Sequence, residues 1–135
     1  MNVVDTSVVT KWMFREPDSD MAVKLLEKEV SFFAPDYLKI EFTSNITKKI
    51  RAGILPIEEG RERRKDFNKI NIQYKPYIEL EALAFEFSTV YPVTFYDSLF
   101  VALAYQEKVR LYTFDERLDS SLKNTELGEI VIIPS

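Results

Sequence analysis

Short, nearly all-apolar runs alternate with longer helical stretches along this chain, and that alternation most constrains its fold. The runs are Asn2–Val4, Ser31–Ala34, Ile70–Tyr74, Arg110–Phe114 and Ile130–Ile133. A strand with one wet face alternates apolar and polar residues. Strands covered on both faces read as continuous apolar segments, as most of these do. Between them lie helical patterns with recognisable ends. Asp5-Thr6-Ser7 turns into a short helix ending near Phe14, and Asp18 or Ser19 is placed to cap a helix through Glu29. Pro35-Asp36 opens a helix that Gly53 stops. Pro56 opens a charged helix to about Lys69. Tyr77–Val90 sets Leu80, Leu83, Ala84 and Phe87 on one stripe. Thr94–Lys108 and Asp115–Leu122 complete the set. Strands separated by helices predict an α/β domain with a parallel sheet and helices on both faces. At 135 residues, with no repeat or linker, the chain reads as one domain, 1–135.

In such a sheet, side chains at the carboxyl ends of strands and the adjoining helix starts meet in one crevice. Four acids occupy places of this kind. Asp5 follows Val3-Val4, Asp115 follows Leu111–Phe114, Asp97 stands in the first turn of Thr94–Lys108, and Glu41 lies within the helix that starts at Asp36. Asp5, Asp97 and Asp115 each have an ordinary alternative as helix caps. Glu41 is mid-helix and cannot cap. It sits at the edge of the apolar stripe Leu38, Phe42, Ile46 and Ile50, beside Asn45. Carboxylates gathered in one crevice repel one another unless cations are present, and a hard divalent ion prefers oxygen ligands. Thr6, Ser7, Thr113 and Asn45 are positioned to orient such carboxylates or to serve as ordinary turn and helix polar residues.

Composition narrows the chemistry. The chain has no His and no Cys. That excludes thiolate metal sites, disulfides and any Ser-His or Cys-His dyad, so proton or metal chemistry must rest mainly on Asp and Glu. Charge is uneven. Nine basic and four acidic residues from Lys48 to Lys75 leave that segment at +5, so the remainder carries −9 against a total of −4. Such a segment can guide a polyanion or form a solvated helix face with i,i+3 and i,i+4 pairs. Asp5 interrupts the N-terminus before a signal region can form, and no run approaches the ~20 apolar residues of a membrane span. A cytoplasmic chain is expected.

Four stretches together resemble the PIN-domain ribonucleases, in particular the small VapC-type toxins. They are Val3-Val4-Asp5-Thr6-Ser7-Val8-Val9, Pro35-Asp36-Tyr37-Leu38-Lys39-Ile40-Glu41, Thr94 through Ala104 around Asp97, and Leu111 through Leu118 around Asp115. The resemblance covers the whole chain. It implies a three-layer α/β/α PIN domain with a Rossmann-like parallel sheet of four to five strands. It implies that Asp5, Glu41, Asp97 and Asp115 form an acidic quartet for Mg²⁺ or Mn²⁺, with Asp5 and Asp97 the firmest ligands. It also implies an endoribonuclease, a cognate antitoxin as partner and a homodimer. The segment Lys48–Lys75 matches no motif of the family. Other readings of the same residues are a housekeeping RNA-processing enzyme, a DNA or flap-type nuclease, an RNA-binding module without catalysis, and a receiver-like regulatory domain. The last would need an acceptor Asp ending a central strand, which no central strand is expected to offer here, and a Lys near the last strands. Tyr37 and Tyr96 flank site residues and are candidates for base stacking. Phe42, Phe67, Phe87 and Phe100 fall on apolar stripes, while Trp12 and Phe14 are open to either core or partner.

Overall fold

The structure is a computed structural model and describes residues 1–135. Five short strands form one sheet: β1 (Val3–Val4), β2 (Phe32–Pro35), β3 (Ile72–Lys75), β4 (Leu111–Tyr112) and β5 (Val131–Ile132). Seven helices connect them: α1 (Thr6–Met13), α2 (Ser19–Lys28), α3 (Tyr37–Arg51), α4 (Ile57–Phe67), α5 (Tyr77–Val90), α6 (Phe95–Glu107) and α7 (Glu116–Leu122). The spatial order is β3-β2-β1-β4-β5, and every pair is parallel. Val3 pairs with Phe33 on one side and Leu111 on the other, so β1 is the hinge of the topology. The chain first steps outward through β2 and β3, then returns across β1 to β4 and β5. Right-handed crossovers therefore place α1–α4 on one face and α5–α7 on the other. The result is the three-layer α/β/α arrangement expected from the sequence.

The layers explain the apolar runs. Val3, Val4, Phe32, Ala34 and Leu111 are all buried, because helices cover both faces. α6 is the most enclosed helix, with Ser98 through Ala104 all buried between the sheet and α5. Ser98 donates to the Ala84 carbonyl at 3.0 Å, so the close α5–α6 approach leaves no unpaired buried hydroxyl. On the other face, Leu38, Phe42 and Ile46 turn inward from α3, and Phe42 meets Phe67 of α4 at 4.5 Å between ring centroids. Gly60 lets α4 close on α3. A Cβ there would stand 2.6 Å from the Ile50 Cδ1 atom. Trp12 belongs to the core, donating to the Ala22 carbonyl at 2.7 Å and packing on Phe32. Phe14 packs against Phe42 and is half-buried.

Two expected caps take other roles. Asp18 holds the position before α2, but its φ of 69° is left-handed and its side chain makes no cap bond; Ser19 instead accepts from Glu16 N and donates to the Phe14 carbonyl. Asp36 does not cap α3. Its Oδ1 accepts from Tyr77 N at 3.0 Å and so ties the start of α3 to the start of α5. Along the charged helix α4 and just past its end run the i,i+3 pairs Glu58–Arg61, Arg63–Asp66 and Asp66–Lys69. No helix is long and apolar enough to cross a membrane.

Candidate active site

Where the strand order reverses, between β1 and β4, the carboxyl ends of the strands part and leave a crevice. A pocket of about 420 Å³ opens there, and Asp5, Glu41, Asp97 and Asp115 all line it. Thr6, Ser7 and Asn45 line it too, while Thr113 is buried directly behind Asp5. Two of the three capping roles read from the sequence are also present, while at α6 the cap is Thr94 and Asp97 lends only its backbone N–H. Asp5 accepts from Val8 N, Thr94 accepts from Asp97 N, and Asp115 accepts from Arg117 N and Leu118 N. Capping and convergence are therefore not alternatives. The caps at α1, α6 and α7 fix the backbone so that Asp5, Asp97 and Asp115 face the crevice, and Glu41 reaches it from the middle of α3. Asp115 spends Oδ1 on its helix, which leaves Oδ2 for the pocket.

Asp5 is the deepest of the four, 8% exposed, at the end of the central strand β1, against the expectation that no central strand ends in an Asp, because pairing with both β2 and β4 puts β1 in the middle of the sheet. Its Oδ1 accepts from Ser7 Oγ at 2.5 Å and its Oδ2 from Thr113 Oγ1. Each hydroxyl has one proton, and both are given to Asp5. The 3.5 Å approach of Ser7 to Thr113 therefore has no proton left and is a contact only. The two hydroxyls accept in turn from Phe114 N and Asp115 N. β4 is thereby pinned to the Asp5 carboxylate through two relays. Burial pushes the Asp5 carboxyl up to about 6; the hydroxyl and amide donors oppose the shift, and the Asp97 charge adds to it.

Glu41 is held from the far wall. Thr6 Oγ1 donates to its Oε1 and Tyr37 OH approaches its Oε2 at 3.5 Å. Burial and the Glu41 charge push the Tyr37 hydroxyl up to about 12, so it remains a donor at any ordinary pH. Asp97 is raised as well, first by burial and then by Asp115 and Glu41. Asp97 is thus the acid within electrostatic reach of each of the other three. None of the four forms a salt bridge with a Lys or Arg.

The donor set is oxygen throughout, with no imidazole or thiolate. It suits Mg²⁺ or Mn²⁺ and is unlike the nitrogen and sulfur sets that favour zinc. As they stand, no three carboxylates come close enough to hold one ion. The sequence reading missed three features of this pocket. Lys11 and Glu16 line it, and the rings of Phe100 and Phe114 form its apolar wall. Lys11 follows Ser7 by one helical turn, a spacing that places both on one side of α1. Tyr37 and Tyr96 stack on each other at 5.2 Å, with Tyr96 57% exposed at the rim.

The sequence matches the profile of the PIN domain family across residues 3–121. No curated protein matches it at a significant level. Among solved structures, the fold is similar to Mycobacterium tuberculosis VapC20, a Sarcin-Ricin loop cleaving toxin, at TM-score 0.70 and 15% identity, covering 90% of this chain and 95% of that one. It is similar to VapBC2 from Rickettsia felis, solved bound to a DNA fragment from their promoter, at TM-score 0.62 and 15% identity, covering 99% and 98%. FitAcB from Neisseria gonorrhoeae matches at TM-score 0.65 and 14% identity, covering 98% and 96%. At such identities the likeness speaks for the fold, while the family profile spans most of the chain. This protein belongs to the PIN domain family.

Proposed function

We propose that this protein is a metal-dependent endoribonuclease and the toxin of a VapBC-type pair. PIN domains are nucleases. The observation that carries the reading is the convergence of Asp5, Glu41, Asp97 and Asp115 on one pocket, with no basic residue paired to any of them. Likeness in fold to a loop-cleaving toxin supports RNA as the substrate, and likeness to VapBC2 supports an antitoxin partner. A homodimer in the cytoplasm accords with the same reading.

Asp5 and Asp97 would hold a Mg²⁺ or Mn²⁺ ion, with Glu41 and Asp115 completing its surroundings. Such an ion, when bound, makes water a stronger nucleophile at neutral pH and offsets charge on the phosphate. Ser7 and Thr113 keep the Asp5 oxygens aimed, because both hydroxyl protons are committed to them. Thr6 and Tyr37 do the same for Glu41. Asn45, one turn beyond Glu41, offers an uncharged donor to a phosphate or to water. Phe100 and Phe114 limit water on the apolar side. With no His in the chain, no imidazole base competes with this assignment. RNA and DNA oligonucleotides of one sequence, incubated with Mg²⁺ and with a chelator, test the reading. Cleavage of RNA alone, and only with metal, is expected. Cleavage of DNA at an equal rate, or of RNA in chelator, would overturn it.

A further inference from the structure

Lys11 is the one basic side chain in a pocket that five carboxylates line. Three partners hold its ammonium group. It donates to the Pro17 carbonyl at 2.8 Å, lies 3.5 Å from Glu16, and stands 5.1 Å from the centre of the Phe114 ring. Only 15% of the side chain is exposed. Its simplest role is a latch between α1 and the turn before α2. The Pro17 bond alone would serve that purpose, however, and a partly exposed ion pair adds little stability. A latch does not account for an ammonium group placed on the wall of an acidic crevice beside Phe114.

We infer that Lys11 is a phosphate-positioning residue: it exchanges Glu16 for the phosphate next to the one being cut in a bound RNA strand. The inference rests on the ribonuclease reading above. The Lys11 ammonium is held by Pro17, Glu16 and Phe114, and none of the four acids is among its partners. The scissile phosphate belongs with the four acids and their cation, and the lysine suits a neighbouring one. A polyanion entering an acidic pocket needs a fixed positive charge on its path, and no other residue lining this pocket supplies one. Lysine fits the task because its compact head carries three donors on a flexible stem. It can keep Pro17 and exchange only the carboxylate. Glu16 then holds the place of the phosphate in the free protein. It also keeps Lys11 from folding onto Asp5 or Asp97 and occupying the place of the metal.

The test uses a short RNA with one mapped cleavage site, Mg²⁺, and the variants Lys11→Gln, Lys11→Arg and Glu16→Gln. Lys11→Gln should raise KM by roughly tenfold, the effect of one lost charge-assisted contact. It should lower the salt dependence of RNA binding by about 0.7 in the log–log slope, one phosphate contact on a single strand. A neutral methylphosphonate beside the cut site should weaken wild type and add nothing to Lys11→Gln. Lys11→Arg should recover most of the loss. Glu16→Gln breaks the same ion pair and should bind RNA at least as well as wild type. If Lys11→Gln and Glu16→Gln lose stability and activity alike, with the salt slope unmoved, Lys11 is a latch and the inference fails. Should wild type cleave no RNA at all, the ribonuclease reading fails instead, and the two failures are distinct.

Discussion

Replacing Asp5 by Asn separates what the crevice costs the fold from what it does chemically. Burial holds the Asp5 carboxyl at about 6, above its ordinary 3.8. A raised value means that the folded protein favours the neutral form. The contribution to stability is then fully present below the unfolded value and is lost as pH rises through about 6. At neutral pH the charged group opposes folding by roughly 3 kcal/mol relative to an unperturbed carboxyl. Asn keeps the shape without the charge. Its Oδ1 can still accept from Ser7 Oγ and Val8 N, but its amide must donate toward Thr113, whose own proton loses its acceptor. That mismatch offsets on the order of 1–2 kcal/mol. A net gain near 1–2 kcal/mol remains, which for a chain of this size raises Tm by roughly 3–8 °C. Thermal melts in chelator at about pH 7.5 should show this rise, and melts at about pH 4.5 should show it vanish or reverse. Added Mg²⁺ should raise Tm for wild type and leave the variant nearly unmoved, since only the native carboxylate gains from the ion. A variant that melts below wild type at neutral pH in chelator, or a difference that ignores pH, would refute the electrostatic reasoning.

Further expectations follow from particular contacts. Asp97→Asn should reduce RNA cleavage by at least about 100-fold with its circular dichroism spectrum unchanged, because Asp97 lines the pocket without holding the core. Thr113→Val removes the donor to Asp5 and the acceptor for Asp115 N, so Mg²⁺ affinity measured by titration calorimetry should fall about 10–100-fold. Phe42→Ala empties the contact with Phe14 and Phe67, and urea denaturation should show a loss of about 3–5 kcal/mol. In contrast, Arg64→Ala on the exposed face of α4 should change stability by less than about 0.5 kcal/mol in the same assay.

The order of elements was legible because the apolar runs end at or near Pro or Asp, and because α3 and α5 carry clear apolar stripes. All five strands and seven helices fall within about two residues of their sequence bounds, the usual uncertainty at element ends. Strand order was not legible, since pairing partners are set by tertiary contacts that leave no local mark. The failed caps show the same limit. Asp18 and Asp36 have the right residue type, but one sits in a left-handed turn and the other is recruited by Tyr77 from another element. In the pocket, Glu41 was legible as a charge that could not cap. The relays through Ser7 and Thr113 could only be suspected, because they depend on how β1 and β4 are set side by side. Lys11 and Glu16 were invisible, because the turn through Pro17 decides that they meet.

The central claim is that four carboxylates and a divalent ion direct water at an RNA phosphodiester. The ends of the cleaved RNA test it most directly, read by mass spectrometry after digestion with Mg²⁺. Attack by water leaves a 5′-phosphate and a 3′-hydroxyl, and this is the predicted result, lost with Asp97→Asn. A 2′,3′-cyclic phosphate with a 5′-hydroxyl would mean that the RNA's own 2′-hydroxyl attacks, and it would contradict the account.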